Sequence, residues 1–149
     1  MTDQGTPMQF SAEGVLLDPP VHDGYLESVK SRDGVLELGV LRYDKSVRFK
    51  LCFPGIEALV CNTFLEGNIV FDVVYCKQVD GGGFGSFLAG FSLDVLKTFE
   101  IYYGSPERFK ALLTLGSSYG AEILAAGDIS PGDCYYRTGD LGRPAKSVL

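Results

Sequence analysis

Histidine is nearly absent from this chain, with His22 the only one in 149 residues. A Ser-His-Asp triad would have to use it, yet no G-x-S-x-G elbow is present to offer the serine. The four cysteines, Cys52, Cys61, Cys76 and Cys134, form no C-x-x-C pair, whereas structural zinc sites favour closely spaced Cys or His ligands. The sequence therefore points to no metal site, no cofactor and no catalytic set. Three of the cysteines fall in strand-like stretches, where a thiol behaves as a small buried apolar group and tends to be inert. Positive charge is also scarce: 13 Lys and Arg stand against 19 Asp and Glu, for a net charge of −6. Nucleic acids and anionic membrane surfaces are polyanions that reward basic patches, so neither is the expected partner. A basic protein suits the charge better. No apolar run approaches the roughly 20 residues of a membrane-spanning helix, and the amino terminus has neither a basic patch nor an apolar signal core. The expected setting is soluble, reducing and cytoplasmic.

What the chain does have is apolar bulk. It is 46% apolar with ten Phe and eight Tyr, enough for one packed core, and its length suits one domain. A single domain over 1–149 is expected, with 1–7 and 143–149 as flexible ends. Met8 to Leu17 reads as a first short strand around Gly14, stopped at Asp18-Pro19-Pro20 because consecutive prolines cannot continue pairing. Tyr25 to Lys30 and Val35 to Arg42 flank Arg32-Asp33-Gly34, a strong hairpin signal. After a turn at Tyr43 to Ser46, Val47, Phe49, Leu51 and Phe53 alternate with Arg48, Lys50 and Cys52, the pattern of a strand with one wet face. Pro54-Gly55 breaks it, and Ile56 to Phe64 reads as an edge strand or a bulged one.

Glu66-Gly67-Asn68 makes the next turn. Ile69 to Cys76 is apolar on both faces except at Asp72, which predicts a central strand covered on both sides. The second cover is expected from a helix starting at Ser105-Pro106-Glu107, where Ser105 caps, Pro106 suits the first turn and Glu107 opposes the dipole. Phe109, Leu112 and Leu113 would then share one helix face, and Gly116 to Gly120 would end it. Phe87 to Tyr103 reads as a short helix followed by a strand, and Ala121 to Ile129 with Asp133 to Thr138 as a final hairpin around Ser130-Pro131-Gly132. The predicted class is α+β, a mainly antiparallel β-sheet with one or two helices packed on one face.

The candidate binding residues are His22, Asp23 and Tyr25, at the start of the best-patterned strand. Imidazole is the side chain whose ordinary proton exchange falls near neutral pH, so His22-Asp23 reads as an acid/base pair, a ligand anchor or a turn that ties the loop down. Neighbouring side chains in extended backbone point apart, so a shared substrate requires the turn to curl them together. Asp72, ionisable within an apolar strand, needs a partner such as Arg48 or Lys50, or a solvated margin. Asp80-Gly81-Gly82-Gly83-Phe84-Gly85-Ser86 is flexible enough to approach a phosphate, but it lacks the Lys-Ser/Thr ending of a phosphate loop and reads as a connection.

Two stretches resemble known families. Tyr136-Arg137-Thr138-Gly139-Asp140-Leu141 is similar to the Y-R-T-G-D-L signature of adenylate-forming enzymes, which would give Asp140 the ribose-binding role. The Ser/Thr/Gly-rich phosphate loop of that family is missing and its members are several times longer, so the match reads as coincidence. The Pro-rich lead to His22-Asp23, the following hairpin and the Phe53-Pro54-Gly55-Ile56 break resemble small uncharacterised bacterial domains, including immunity proteins that neutralise toxins. That resemblance implies an acidic, cytoplasmic, non-enzymatic interaction module. The alternative is a small-molecule-binding protein or modest enzyme with a pocket near His22, lined by Tyr25 or by a tyrosine of Tyr102-Tyr103.

Overall fold

The computed structural model describes residues 5–62, 68–78, 83–84, 87–88, 93–117 and 122–139. The expected turn at 66–67, most of the glycine-rich stretch 80–86, Asp140 and the end 143–149 lie outside them.

Alternating apolar residues build the sheet. In β5 (Val35–Leu41), Leu36, Leu38 and Val40 are buried while Val35, Glu37, Gly39 and Leu41 face the other way. It pairs with β4 (Tyr25–Arg32) through Arg32↔Val35. The two residues between them, Asp33 and Gly34, have φ of 54° and 75°, the left-handed pair that matches hairpin twist and that Asp-Gly tolerates. On its other side β5 pairs with β6 (Arg48–Pro54). The expected hairpin and the strand after it are therefore present.

One residue, Gly55, separates β6 from β7 (Ile56–Asn62). Yet the order across the nine-stranded sheet is β1-β11-β6-β5-β4-β8-β9-β10-β7, where β1 is Thr6–Pro7, β8 Asn68–Lys77, β9 Ala111–Ser117, β10 Glu122–Gly127 and β11 Tyr135–Gly139. Strands adjacent in the chain lie far apart in the order, which requires the sheet to curl back on itself with the chain turning a corner. Gly55 makes the corner at φ 89°, where an added Cβ would stand 2.3 Å from the Asp128 carbonyl oxygen. As expected, β7 is an edge strand; among the described residues it pairs with β10 alone. All pairings among the described residues are antiparallel.

Inside the curl, side chains from both halves of the sheet form one cluster that includes Leu38, Leu51, Phe53, Val73, Leu115 and Ile123. The expected first strand is instead two short ones, β2 (Gln9–Phe10) and β3 (Leu16–Asp18), with a turn in which the Gly14 amide donates to the Ser11 carbonyl. Proline does end β3.

A second cluster lies outside the curl, where Val95 and Phe99 of α1 (Leu93–Tyr103) meet Ala58, Val60, Leu112, Leu124 and Ala126. The class is α+β, with a single helix packed on the curled sheet among the described residues. Several expectations fail here for one reason. The strand formers in Thr98–Tyr103 are helical because Val95, Phe99 and Tyr103 recur every four residues and reach this second cluster, and tertiary burial overrides propensity. The helix ends where the Gly104 amide donates to the Glu100 carbonyl.

Ser105 does cap, its Oγ accepting from the Glu107 amide at 3.2 Å, but only for the 3-10 turn Pro106–Arg108. The chain then becomes β9. Leu113 joins the inner cluster and Leu112 the outer one, so the two are on opposite faces of a strand, not one face of a helix. The final hairpin is also absent: β10 pairs with β9 and β7, while β11 pairs with β6 and β1. β10 is buried on both faces, through Ile123 and Ala125 inward and Leu124 and Ala126 outward, and so takes covered neighbours. Ser130-Pro131-Gly132 belongs to a connection containing a 3-10 turn rather than a hairpin loop.

Candidate functional site

Val21, His22, Asp23 and Gly24 form a tight turn, with the Gly24 amide donating to the Val21 carbonyl at 2.8 Å and Asp23 at φ 63°. Val21 is buried and anchors it. The Asp23 amide donates to the Val70 carbonyl and the Val70 amide to the Gly24 carbonyl, both at 2.8 Å, so β8 clamps the turn. This brings a third group to the pair. His22 Nδ1 lies 3.4 Å from Asp72 Oδ1, and His22 Nε2 lies 3.6 Å from Asp23 Oδ1.

Asp72 reaches His22 because β8 is irregular. Val70 and Val73 are both fully buried although three residues apart, which regular alternation forbids. The register shift between Val70 and Asp72 against β9 resets the alternation and turns the carboxylate outward, as bulges do. Asp72 thus lies at a solvated margin with His22 as neighbour. The expected partners are engaged elsewhere: Arg48 Nε donates to Glu27 Oε1 at 2.8 Å and Lys50 Nζ is 3.8 Å from Glu37 Oε2. Tyr25 belongs to another constellation, with Lys45 Nζ 5.5 Å from its ring centroid.

An imidazole with one carboxylate on each ring nitrogen is a polar clamp on an exposed loop; the His22 side chain is 60% and that of Asp23 63% exposed. Two carboxylates on opposite nitrogens do not converge on one ion, and among the described residues no three His, Cys, Asp or Glu side chains are placed to hold a metal. The thiols are distant in character. Cys134 is buried, donates to the Ser130 carbonyl and has its pKa pushed up to about 12 by burial first and then by the Asp133 charge. Cys52 is buried rather than wet; burial raises its pKa, partly offset by its hydrogen bond with Tyr135 on β11. In the Tyr136-Arg137-Thr138-Gly139 stretch, the Tyr136 hydroxyl lies 3.1 Å from each oxygen of Asp18, a tie between β11 and the end of β3.

Three surface cavities are lined by other residues than His22, Asp23 and Tyr25. One of ≈470 Å³ lies between the β2–β3 turn and Tyr75. The others, of ≈580 and ≈300 Å³, share the outward face of β4, β5, β6 and β11. The register stacks this face in rows: Lys30–Glu37–Cys52–Tyr135, Ser28–Gly39–Lys50–Arg137 and Tyr25–Leu41–Arg48–Gly139. Lys30, Arg32, Arg48, Lys50 and Arg137 gather there against Glu27 and Glu37, in a chain of net charge −6. Acidity is therefore concentrated on the rest of the surface. The alternation of Arg48 and Lys50 signalled a wet strand face, but nothing in the pattern brings β11 beside it.

A second feature missed by pattern is the outer side of α1, where Leu93, Ile101 and Tyr102 are 67%, 78% and 75% exposed. No helix among the described residues is long and apolar enough to cross a membrane. No family model matches the chain, and no curated protein or solved structure shows significant similarity to it.

Proposed function

We propose that this protein is a non-enzymatic interaction module, of the immunity type, that contacts a basic protein partner through the outer side of α1. The observation that carries this reading is the exposure of Ile101 and Tyr102, adjacent large apolar side chains in the last turns of the helix. Exposed side chains of this size in one place are what an interface buries, and aromatic anchors carry much of the energy of such contacts. Asp94 and Glu100 outnumber Lys97 on the same helix, and the charge outside the β4–β5–β6–β11 face is acidic. Acidic surroundings speed encounter with a basic surface and leave affinity to the apolar contacts.

The test is direct binding. The partner recovered from the source cell is purified and titrated against the wild-type chain and against the Ile101→Asp, Tyr102→Asp double variant. Both positions are exposed, so the variant should keep its melting temperature while losing at least about tenfold in affinity, 1.4 kcal/mol. Equal affinity of the two chains, or a specific partner that is acidic, rejects the reading.

A further inference from the structure

The ≈470 Å³ cavity lies where the β2–β3 turn crosses β8, with no residue of α1 or of the His22 turn in its wall. Backbone contacts set its shape. The Tyr75 amide donates to the Gly14 carbonyl at 2.8 Å and Val15 bridges Val74, so the turn is laid directly on the strand. Gly14 permits this approach: its φ is 92°, and an added Cβ would overlap the Tyr75 carbonyl oxygen. Within the turn, Ser11 Oγ accepts from the Val15 amide at 3.0 Å and the Ser11 carbonyl from the Gly14 amide at 2.9 Å, which holds Ala12 and Glu13 in the wall. Pro131 and Gly132 form another side, their 3-10 turn closed by the Cys134 amide donating to the Pro131 carbonyl at 3.1 Å. Walls tied in this way are formed before a ligand arrives, so binding costs little ordering.

Two aromatic rings belong to this wall. The Phe10 and Tyr75 centroids are 6.2 Å apart and the ring planes are inclined by 56°, so the rings are not stacked on each other. The Tyr75 hydroxyl donates to the Ile129 carbonyl at 3.2 Å, which leaves the ring rather than the hydroxyl for a ligand. Glu13 is the only charged side chain among the lining residues, and among the described residues no cation is paired with it. Cys76 stays a neutral thiol at neutral pH, since burial raises its pKa. Lys77, two residues past Tyr75 on β8, is not part of the wall.

We propose that this cavity binds a small quaternary ammonium compound, its cationic head over Phe10 and Tyr75 and beside Glu13. A cation held by a ring face sits within about 6 Å of the centroid, and centroids 6.2 Å apart let one head satisfy both rings. A quaternary head has no N–H to place, which suits a wall whose tyrosine hydroxyl is already engaged and whose one carboxylate balances one charge. A primary ammonium is strongly hydrated and would have to give up water for hydrogen bonds that the rings do not supply. The volume falls within the range of ligand pockets, about 300–1,000 Å³. A net charge of −6 also favours the approach of a cation. None of these residues is on α1, so this site and the protein-contact surface fail independently.

Choline is the probe, followed by proton–nitrogen NMR correlation spectra of the full chain at neutral pH. Expected are saturable shifts centred on the amides of Phe10, Glu13, Gly14, Tyr75 and Gly132, with a Kd of roughly 1 mM or below. The neutral alcohol with carbon in place of the nitrogen has the same shape and should bind at least about fivefold more weakly, as should ethanolamine. Glu13→Gln and Phe10→Leu, each with wild-type spectra away from the cavity, should weaken choline at least about twofold. Tyr75→Phe keeps the ring and should bind as the wild type does. No saturable shift by roughly 10 mM choline, the neutral alcohol or ethanolamine binding as tightly as choline, or unchanged affinity in either Glu13→Gln or Phe10→Leu overturns the proposal. So does sedimentation of the chain with phosphatidylcholine vesicles that choline competes away, which would put the cationic head on a lipid.

Discussion

At the residue scale, His22 shows how a chemically versatile side chain is placed without being buried. Its loop is held by backbone hydrogen bonds to Val70 and by the buried Val21. The ring meets Asp23 and Asp72 at ion-pair distances, but with 60% of its side chain exposed, and surface ion pairs contribute about 0.2–1 kcal/mol. His22→Ala is therefore expected to lower the melting temperature by less than roughly 4 °C, as thermal unfolding followed by circular dichroism would read. A much larger fall would mean that the imidazole supports the core. The turn itself was legible in Val21-His22-Asp23-Gly24, because Asp tolerates positive φ and Gly follows it. Asp72 as the third member was not, since the bulge that turns it outward leaves no mark in the run Ile69 to Cys76.

Whole elements separate the strong local signals from the weak ones. Asp33-Gly34, the alternation in β5 and β6 and the Pro54-Gly55 break each carry their own geometry, and each appears where the pattern puts it. Phe87 to Tyr103, expected as a short helix and then a strand, is helical through Leu93–Tyr103, and the helix expected from Ser105 onward gives way to a strand over Ala111–Ser117. The Ser105-Pro106-Glu107 cap is real, but it supports one 3-10 turn before the chain extends. A short apolar run such as Ala-Leu-Leu-Thr-Leu fits a buried strand and a buried helix equally, and only what covers it decides. Here both faces are covered: Leu112 is 0% and Leu113 2% exposed, in different clusters. Leu112→Ala and Leu113→Ala should thus each cost about 2–5 kcal/mol in chemical denaturation. A near-neutral result for either would indicate that one face of β9 is open.

For the whole molecule, burial sets the response to alkali. It is the first cause of raised pKa values at Cys52, Cys61, Cys76, Cys134, Tyr75 and Tyr136. A group whose pKa is higher folded than unfolded holds its proton more tightly in the folded state. Its contribution is complete below the unfolded value and is lost as pH rises towards the folded one. For Cys134 that window runs from the ordinary thiol value of 9.0 up to about 12. Melting temperature should fall steadily above pH 9.0, and Cys134→Ala should make the decline shallower. A flat profile across that window, or an unchanged slope in the variant, contradicts this account.

Composition and period determined the local facts: where the backbone turns, which strands alternate, the antiparallel α+β class and the net charge of −6. These are set by the side chain at a position and its near neighbours, so a single sequence contains them. The tertiary structure alone decided that Gly55 is a corner, that Asp72 meets His22 and that Lys50 faces Arg137. Those pairings join segments distant in the chain, and they follow from two apolar faces that must be covered at once as the sheet curls. Net charge is a sum that has no address; the β6–β11 register gives the positive part of it one.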